Sequence, residues 1–168
     1  MGKRDSAVTA APHRYQAIAA GPDFAIGVLC TDEEIVALHY LPPQPALAPK
    51  NLLAAEALRQ IDAYFADPRF QFSLPLRPTG TPFQRRVQAE VARIPSGETR
   101  SYGEVARAIR SGARAVGGAC GANPFPLAIP CHRVVAAGGA LGGVSGRDET
   151  SGEWVIAVKR RLLEHERQ

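Results

Sequence analysis

Residues 101–119, SYGEVARAIRSGARAVGGA, decide how this chain is read. After Ser101-Tyr102-Gly103-Glu104, the apolar residues Val105, Ala106 and Ile109 recur at helical spacing. Ser111-Gly112 turns the chain, and Ala113–Ala119 predicts a second short helix. Two short helices joined by a glycine-containing turn outline a helix-turn-helix, although helical domains in general contain such corners. The second helix is unusual in composition, because apart from Arg114 it carries only alanine, valine and glycine. Helices that read the major groove present long polar side chains to base edges. A bare helix lets its backbone approach a partner closely. With side chains a helix is roughly 10–12 Å across, against a minor groove about 6 Å wide. A stripped helix is therefore what minor-groove docking requires, with Arg114 able to enter the base stack. Taken alone, the same small residues fit tight helix–helix packing better.

Downstream, Pro130-Cys131-His132-Arg133-Val134 places a thiol beside an imidazole. A reactive cysteine needs a base to form thiolate, a shaped pocket and access for its electrophile. Asn123-Pro124, the apolar run 125–129 and the glycine-rich stretch 138–146 flank the thiol and can supply these. Upstream, Thr81-Pro82 sets an N-cap and a first-turn proline for a helix through Phe83, Val87, Val91 and Ile94, which Pro95-Ser96-Gly97 stops. Earlier still, 24–29 and 35–40 read as strands around a turn at 31–34. Asn51 caps a helix through Leu52, Ala55, Leu58, Ile61 and Phe65 that Asp67-Pro68 ends. Phe70 to Leu76 reads as a further extended run, and 77–80 as a linker. These patterns predict an α/β (α+β) fold. Residues 1–20 form a flexible tail, 21–77 a small N-terminal sheet-plus-helix domain, and 78–168 a mainly helical C-terminal domain with the helix-turn-helix and the chemistry.

The chain has 168 residues, 45% apolar and 21% charged, as expected of a soluble globular protein. No apolar run approaches the ~20 residues of a membrane-spanning helix, and the N-terminus lacks a signal-peptide core, so no membrane partner is expected. Met1-Gly2 with Ser6 fits a loose myristoylation pattern that an ordinary chain start fits as well. Three cysteines are too few and too odd for a disulfide framework, which predicts a reducing compartment. Cys30 and Cys120 read as small buried residues, Cys120 with reactivity left open. His13 falls in the tail, His39 in a strand and His165 on a helix surface. No tight Cys/His spacing predicts a metal. Charge is uneven: residues 1–80 carry 7 Lys+Arg against 8 Asp+Glu, and 81–168 carry 13 against 8. The excess lies in arginines from Arg85 to Arg133, which suit phosphate contacts and equally suit a solvated helical face.

The chain resembles the methylated-DNA–protein-cysteine methyltransferases, the O6-alkylguanine-DNA alkyltransferases. The resemblance is carried by Gly80-Thr81-Pro82-Phe83-Gln84, by residues 94–99, Ser101-Tyr102, Ala113–Gly117, Asn123-Pro124, Pro130–Val134 and residues 158–163 with Glu166. It is dense over 80–146 and looser over 24–76, where Tyr64-Phe65 and Leu74-Pro75-Leu76 fit. It implies direct-reversal repair of duplex DNA without a cofactor. The helix-turn-helix docks in the minor groove, the damaged base is flipped into a pocket, and its O6-alkyl group passes irreversibly to Cys131, once per molecule. His132 would take the thiol proton through a water, oriented by Glu166. Asn123 would brace the helix-turn-helix and active-site loops. Arg114 would fill the vacated stack and Tyr102 crowd the 3′ phosphate. Ser101, Ala113, Ala115 and Gly117 would line the DNA, and Val134, Ser145 and Lys159 the base pocket. The resemblance further implies a monomer, cytoplasmic and nucleoid-associated in a prokaryote or nuclear in a eukaryote.

Four features depart from the family pattern. The turn over 109–113 is about two residues short, which bears on DNA affinity. Val144 replaces a common tyrosine and Gln88 a common tryptophan. A segment from Arg147 to Trp154 is added before the closing helix, as a loop, a lid or a brake on bulky adducts. Three rivals follow from the same residues. A non-catalytic lesion-binding relative would lack Cys131. A cysteine hydrolase would not place cysteine and histidine side by side. A regulator would need further zinc and DNA-binding modules, for which 168 residues are too few.

Overall fold

A computed structural model describes residues 14–141 and 149–168, apart from the side chains of 149–153. The readings made for the chain start, His13, Val144 and Ser145 lie outside the described residues. Three antiparallel strands, β1 (Ala17–Ala19), β2 (Ala25–Cys30) and β3 (Ile35–Leu41), form a sheet in that order. Ala17 faces Val28, and Val28 faces Leu38. Strand β2 is apolar along its length because both of its faces are covered. Ile26 and Val28 share a core with Ala54, Ala57 and Ile61 of helix α1 (Leu52–Ala66), while Ala25 packs with Tyr15, Ile18 and Leu41. Gly27 makes this possible, since a Cβ there would lie 2.6 Å from the Tyr15 ring.

Two expectations for this half are corrected. Residues 14–20 are not part of a tail: Tyr15 and Ala17 are fully buried, and Ile18 exchanges two backbone hydrogen bonds of 3.1 Å with Leu47. A strand of three residues is too short to show alternation, so its pairing is set by β2. Phe70–Leu76 forms no strand beyond one bridge from Leu76 to Ile35. The Ser73 N–H donates instead to the Gln60 side chain at 2.9 Å, so it has no ladder to join.

The other half keeps the predicted order of helices, α2 (Pro82–Val91), α3 (Tyr102–Ala108), α4 (Ala113–Gly121) and α5 (Glu149–Glu166), and adds two short strands that the sequence did not predict, β4 (Arg100–Ser101) and β5 (Val134–Val135). Helices α2 and α3 both begin with complete capping boxes, Thr81 with Gln84 and Ser101 with Glu104, which fix their starts. Gly80 enters α2 at φ 105°, where a Cβ would also crowd Gln84. The segment added before the closing helix is not a loop from residue 149 onward but the first turns of α5. Gly152 is the one weak helix former there, so the closing helix simply propagates backwards. One apolar core runs from Ile26 and Val28 through Val87, Val91, Val105 and Val116 to Val158 and Leu162. It passes the linker at 77–80 without a break.

The short turn between α3 and α4 closes by a Schellman motif. The Ser111 N–H donates to the Ala106 carbonyl at 2.8 Å and the Arg110 N–H to that of Arg107 at 3.3 Å. Arg110 takes the left-handed position at φ 58° that glycine normally fills. Arg86 of α2 donates to the Ile109 carbonyl, tying α2 to this corner. Replacing the strained residue, Arg110→Gly, should therefore stabilise the free protein by about 0.5–1 kcal/mol in equilibrium denaturation. A loss of stability would show that the arginine side chain holds the turn.

Candidate active site

Cys131 opens a 3₁₀ turn, Cys131–Arg133, that enters β5. β5 pairs in parallel with β4, Arg100 against Val134 and Ser101 against Val135, so the cysteine turn sits beside the start of α3. Asn123 organises the loop before it. Its side-chain N–H donates to the Ile129 carbonyl at 2.9 Å and to Cys131 Sγ at 3.4 Å, and its oxygen accepts from the Phe125 N–H at 2.9 Å. The Leu38 N–H of β3 holds the Pro124 carbonyl at 2.9 Å. Within this loop Leu127 is buried at φ 77°, a strained conformation that the surrounding bonds must enforce.

His132 Nε2 lies 2.7 Å from Glu166 Oε2, and both side chains are nearly inaccessible, at 3% and 1%. The carboxylate can only accept, so Nε2 carries the proton and the lone pair is on Nδ1. That Nδ1 is buried and has no protein partner. Burial pushes the imidazole pKa down and outweighs Glu166, which keeps the ring neutral as a base must be. Glu166 also accepts two hydrogen bonds of 2.9 Å from Arg133 and one of 2.6 Å from the Tyr64 hydroxyl. Burial raises its carboxyl, but the bonds from His132, Arg133 and Tyr64 win and hold it far below the usual carboxylate range.

The neighbouring Cys120 of α4, together with burial, raises the Cys131 thiol well above its ordinary value. At rest it is a thiol that needs a base. Lys159 of α5 donates to the Leu141 carbonyl at 2.8 Å and to the Tyr102 hydroxyl at 3.4 Å, with its ammonium 5.6 Å from the Tyr102 ring centroid. Burial first, then the nearby sulfurs, raise Tyr102 to about 12, so its hydroxyl remains a donor. Ala113, Arg114 and Ala115 are exposed on α4, as is Gly118, where a Cβ would meet nothing. This is the bare surface expected from composition. Ser101 caps α3, and Val134 is wholly buried, backbone included.

Tyr64 had no role in the sequence reading, and Arg133 figured only among the arginines that suit phosphate contacts, whereas it bonds Glu166. A tyrosine on the buried face of α1 must place its hydroxyl somewhere, and that was the available signal. Cys120, read as a small buried residue with its reactivity left open, is only partly buried. His165 is not a plain surface residue: its ring lies 5.0 Å from that of Tyr64, and Nε2 is 2.8 Å from the Tyr64 carbonyl. Among the described residues no group of three or more His, Cys, Asp or Glu is placed to hold a metal ion.

Residues 82–168 match the family model of the 6-O-methylguanine DNA methyltransferase DNA-binding domain. The methylated-DNA–protein-cysteine methyltransferase of Mycobacterium leprae is 43% identical over 71% of this chain and 74% of its own length. The constitutive protein of that name from Bacillus subtilis is 44% identical over 63% and 66%. The crystal structure of Mycobacterium tuberculosis OGT in complex with DNA matches with a TM-score of 0.73 at 36% identity, covering 89% of this chain and 91% of that one.

Both His132 and Glu166 have folded pKa values below their ordinary 6.5 and 4.5, so the unfolded chain binds their protons first. Stability should therefore fall as pH drops below about 6.5, and fall further below about 4.5. Glu166→Gln should remove the lower part of that dependence and cost about 3–5 kcal/mol at neutral pH, because Arg133 is left half-buried without a counter-charge. Denaturant titrations across pH check both points, and equal stability at neutral pH would contradict the network.

Proposed function

The chain belongs to the methylated-DNA–protein-cysteine methyltransferase family, and from that premise we propose how its residues reverse O6-alkylguanine damage in duplex DNA. The observation that carries the reading is the placing of Cys131 between Asn123 and the His132–Glu166 pair, beside the exposed bare helix α4. Helix α4 enters the minor groove, with Ser101, Ala113, Ala115 and Gly117 near the backbone. Arg114 takes the place of the flipped base. Tyr102 crowds the phosphate and assists extrusion. Neutral His132 accepts the thiol proton at Nδ1 through a water, and Glu166 holds the resulting imidazolium. The thiolate attacks the alkyl carbon. The carbon–sulfur bond forms, the carbon–O6 bond breaks, and its electron pair stays on guanine, which takes a proton. The backbone of Val134, with Lys159 and Ser145, bounds the base pocket.

A thioether has no leaving group that a general base can free, so each molecule acts once. The enzyme is thus a stoichiometric S-methyltransferase acting on its own cysteine. In this reading residues 78–168 dock and react, while 21–77 support them by supplying Tyr64 and the β3 anchor. The protein acts as a monomer in the compartment that holds the DNA, cytoplasmic or nuclear. Among the described residues no helix is long and apolar enough to cross a membrane.

Incubation with a duplex carrying one O6-methylguanine should add one methyl, about 14 Da, to the peptide containing Cys131. No gain with the duplex still bound would make this a lesion-binding protein instead. Arg114→Ala should slow transfer from duplex at least tenfold more than transfer from free O6-alkylguanine. Equal slowing would remove Arg114 from base flipping.

A further inference from the structure

The imidazole at this site is held by an oxygen that it shares. Glu166 Oε2 accepts from three donors at once: the Tyr64 hydroxyl at 2.6 Å, His132 Nε2 at 2.7 Å and Arg133 Nη2 at 2.9 Å. Oε1 accepts only from Arg133 Nε, at 2.9 Å. A carboxylate oxygen offers two lone pairs, so three donors on Oε2 must divide its charge among them. Tyr64 is fixed in place for this contact. It is 1% exposed on α1, its carbonyl accepts from His165 Nε2 at 2.8 Å, and its ring lies 5.0 Å from that of His165 and 5.7 Å from that of Phe72.

Taking His132 as the base for Cys131, a reading on which the inference rests, we propose that Tyr64 is a positioning residue for alkyl transfer. Its hydroxyl weakens the hold of Glu166 on the His132 ring, which leaves the imidazole neutral and its Nδ1 lone pair open to the thiol proton.

Glu166 acts on the imidazole in two opposed ways. It orients the ring and stabilises the imidazolium once that has formed, and by the same attraction it draws a proton onto the ring beforehand. A ring already charged at rest is no base. Its second N–H would also sit at Nδ1, which is buried and has no protein partner. Every other donor on the carboxylate reduces the pull on the ring. Arg133 does so with a full charge, and Tyr64 with a neutral hydroxyl on the oxygen that the ring itself uses. Burial first, then Glu166, raise the Tyr64 phenol, so it remains a donor. The remaining groups around the ring do not take over this part. Lys159 of α5 and Arg133 of the ring's own turn both disfavour the imidazolium, and burial does so most. Tyr40 of β3, near Glu166, is kept protonated by burial, and Cys131 is a thiol at rest. Loss of the Tyr64 hydroxyl should therefore raise the pH at which His132 takes up its proton.

The first readout needs no alkyl transfer, so this inference and the reading beneath it can fail separately. The His132 Cε1–H signal of the full chain, assigned by its absence in His132→Gln, is followed by NMR through an acid titration. Tyr64→Phe should move its midpoint to higher pH. Replacing Tyr64 with 3-fluorotyrosine, a more acidic phenol and a stronger donor, should move it to lower pH. The fluorinated chain keeps the test open if the phenylalanine variant misfolds. The second readout is the rate of single-turnover transfer from an O6-methylguanine duplex against pH. Tyr64→Phe should slow transfer most at the acid end, with the lag behind the unsubstituted chain shrinking as pH rises. A purely structural tyrosine would lower the rate by one factor at every pH and leave the midpoint in place. Coincident titration curves for the three chains would overturn the proposal while leaving His132 as the base. Displaced curves with an unchanged pH–rate profile would overturn it from the other side, by removing His132 from the reaction.

Discussion

Everything at this site depends on one buried carboxylate. An isolated ionised carboxyl in a protein interior costs several kcal/mol, so Glu166 is tolerable only if its lone pairs are taken by donors. Two parts of the chain supply them: Tyr64 from α1, and His132 with Arg133 from the 3₁₀ turn. Arg133 reaches further, donating at 2.6 Å to the Ile94 carbonyl just beyond α2. The demand for donors draws α1, α2, α5 and the cysteine turn to a point. The same bonds orient the imidazole and leave Nδ1 free. Structure and reactivity are satisfied here by one set of contacts.

The DNA-facing corner is tied to that point by short links. Strand pairing of β4 with β5 joins the cap of α3 to the residues after His132. Arg86 holds the end of α3, and Asn123 ties the end of α4 to the loop before Cys131. A displacement of α4 would thus act on the bonds around the sulfur without a separate relay. The turn at Arg110, though short, keeps both carbonyl bonds of a Schellman ending, so α3 stops without exposing them. Its shortness is absorbed by one left-handed residue.

Much of this was legible in the sequence, and the parts that were not share a cause. Helix starts at Asn51, Thr81 and Ser101 were readable because caps are local chemistry, settled within three residues. The bareness of α4 was readable because it is composition. Strand β1 and the non-strand at 70–76 were misread because pairing depends on partners far along the chain: β2 and Leu47 for the first, the Gln60 side chain for the second. Tyr64 was missed for the same reason, since what it touches is a tertiary fact. The helix over the added segment was missed because an insertion suggests a loop, although no strong helix breaker stands between residue 149 and Val158.

The spacing of the carboxylate network along the chain has a temporal side. Tyr64 precedes Glu166 by 102 residues, and His132 precedes it by 34. A chain emerging from the ribosome folds from its N-terminal end. The sheet, α1 and the helix-turn-helix can all form while Arg133 and His132 still await their acceptor. The group that orients the base is thus the last of these residues to be synthesised. Maturation of the nucleophile is a late event, timed by the arrival of α5.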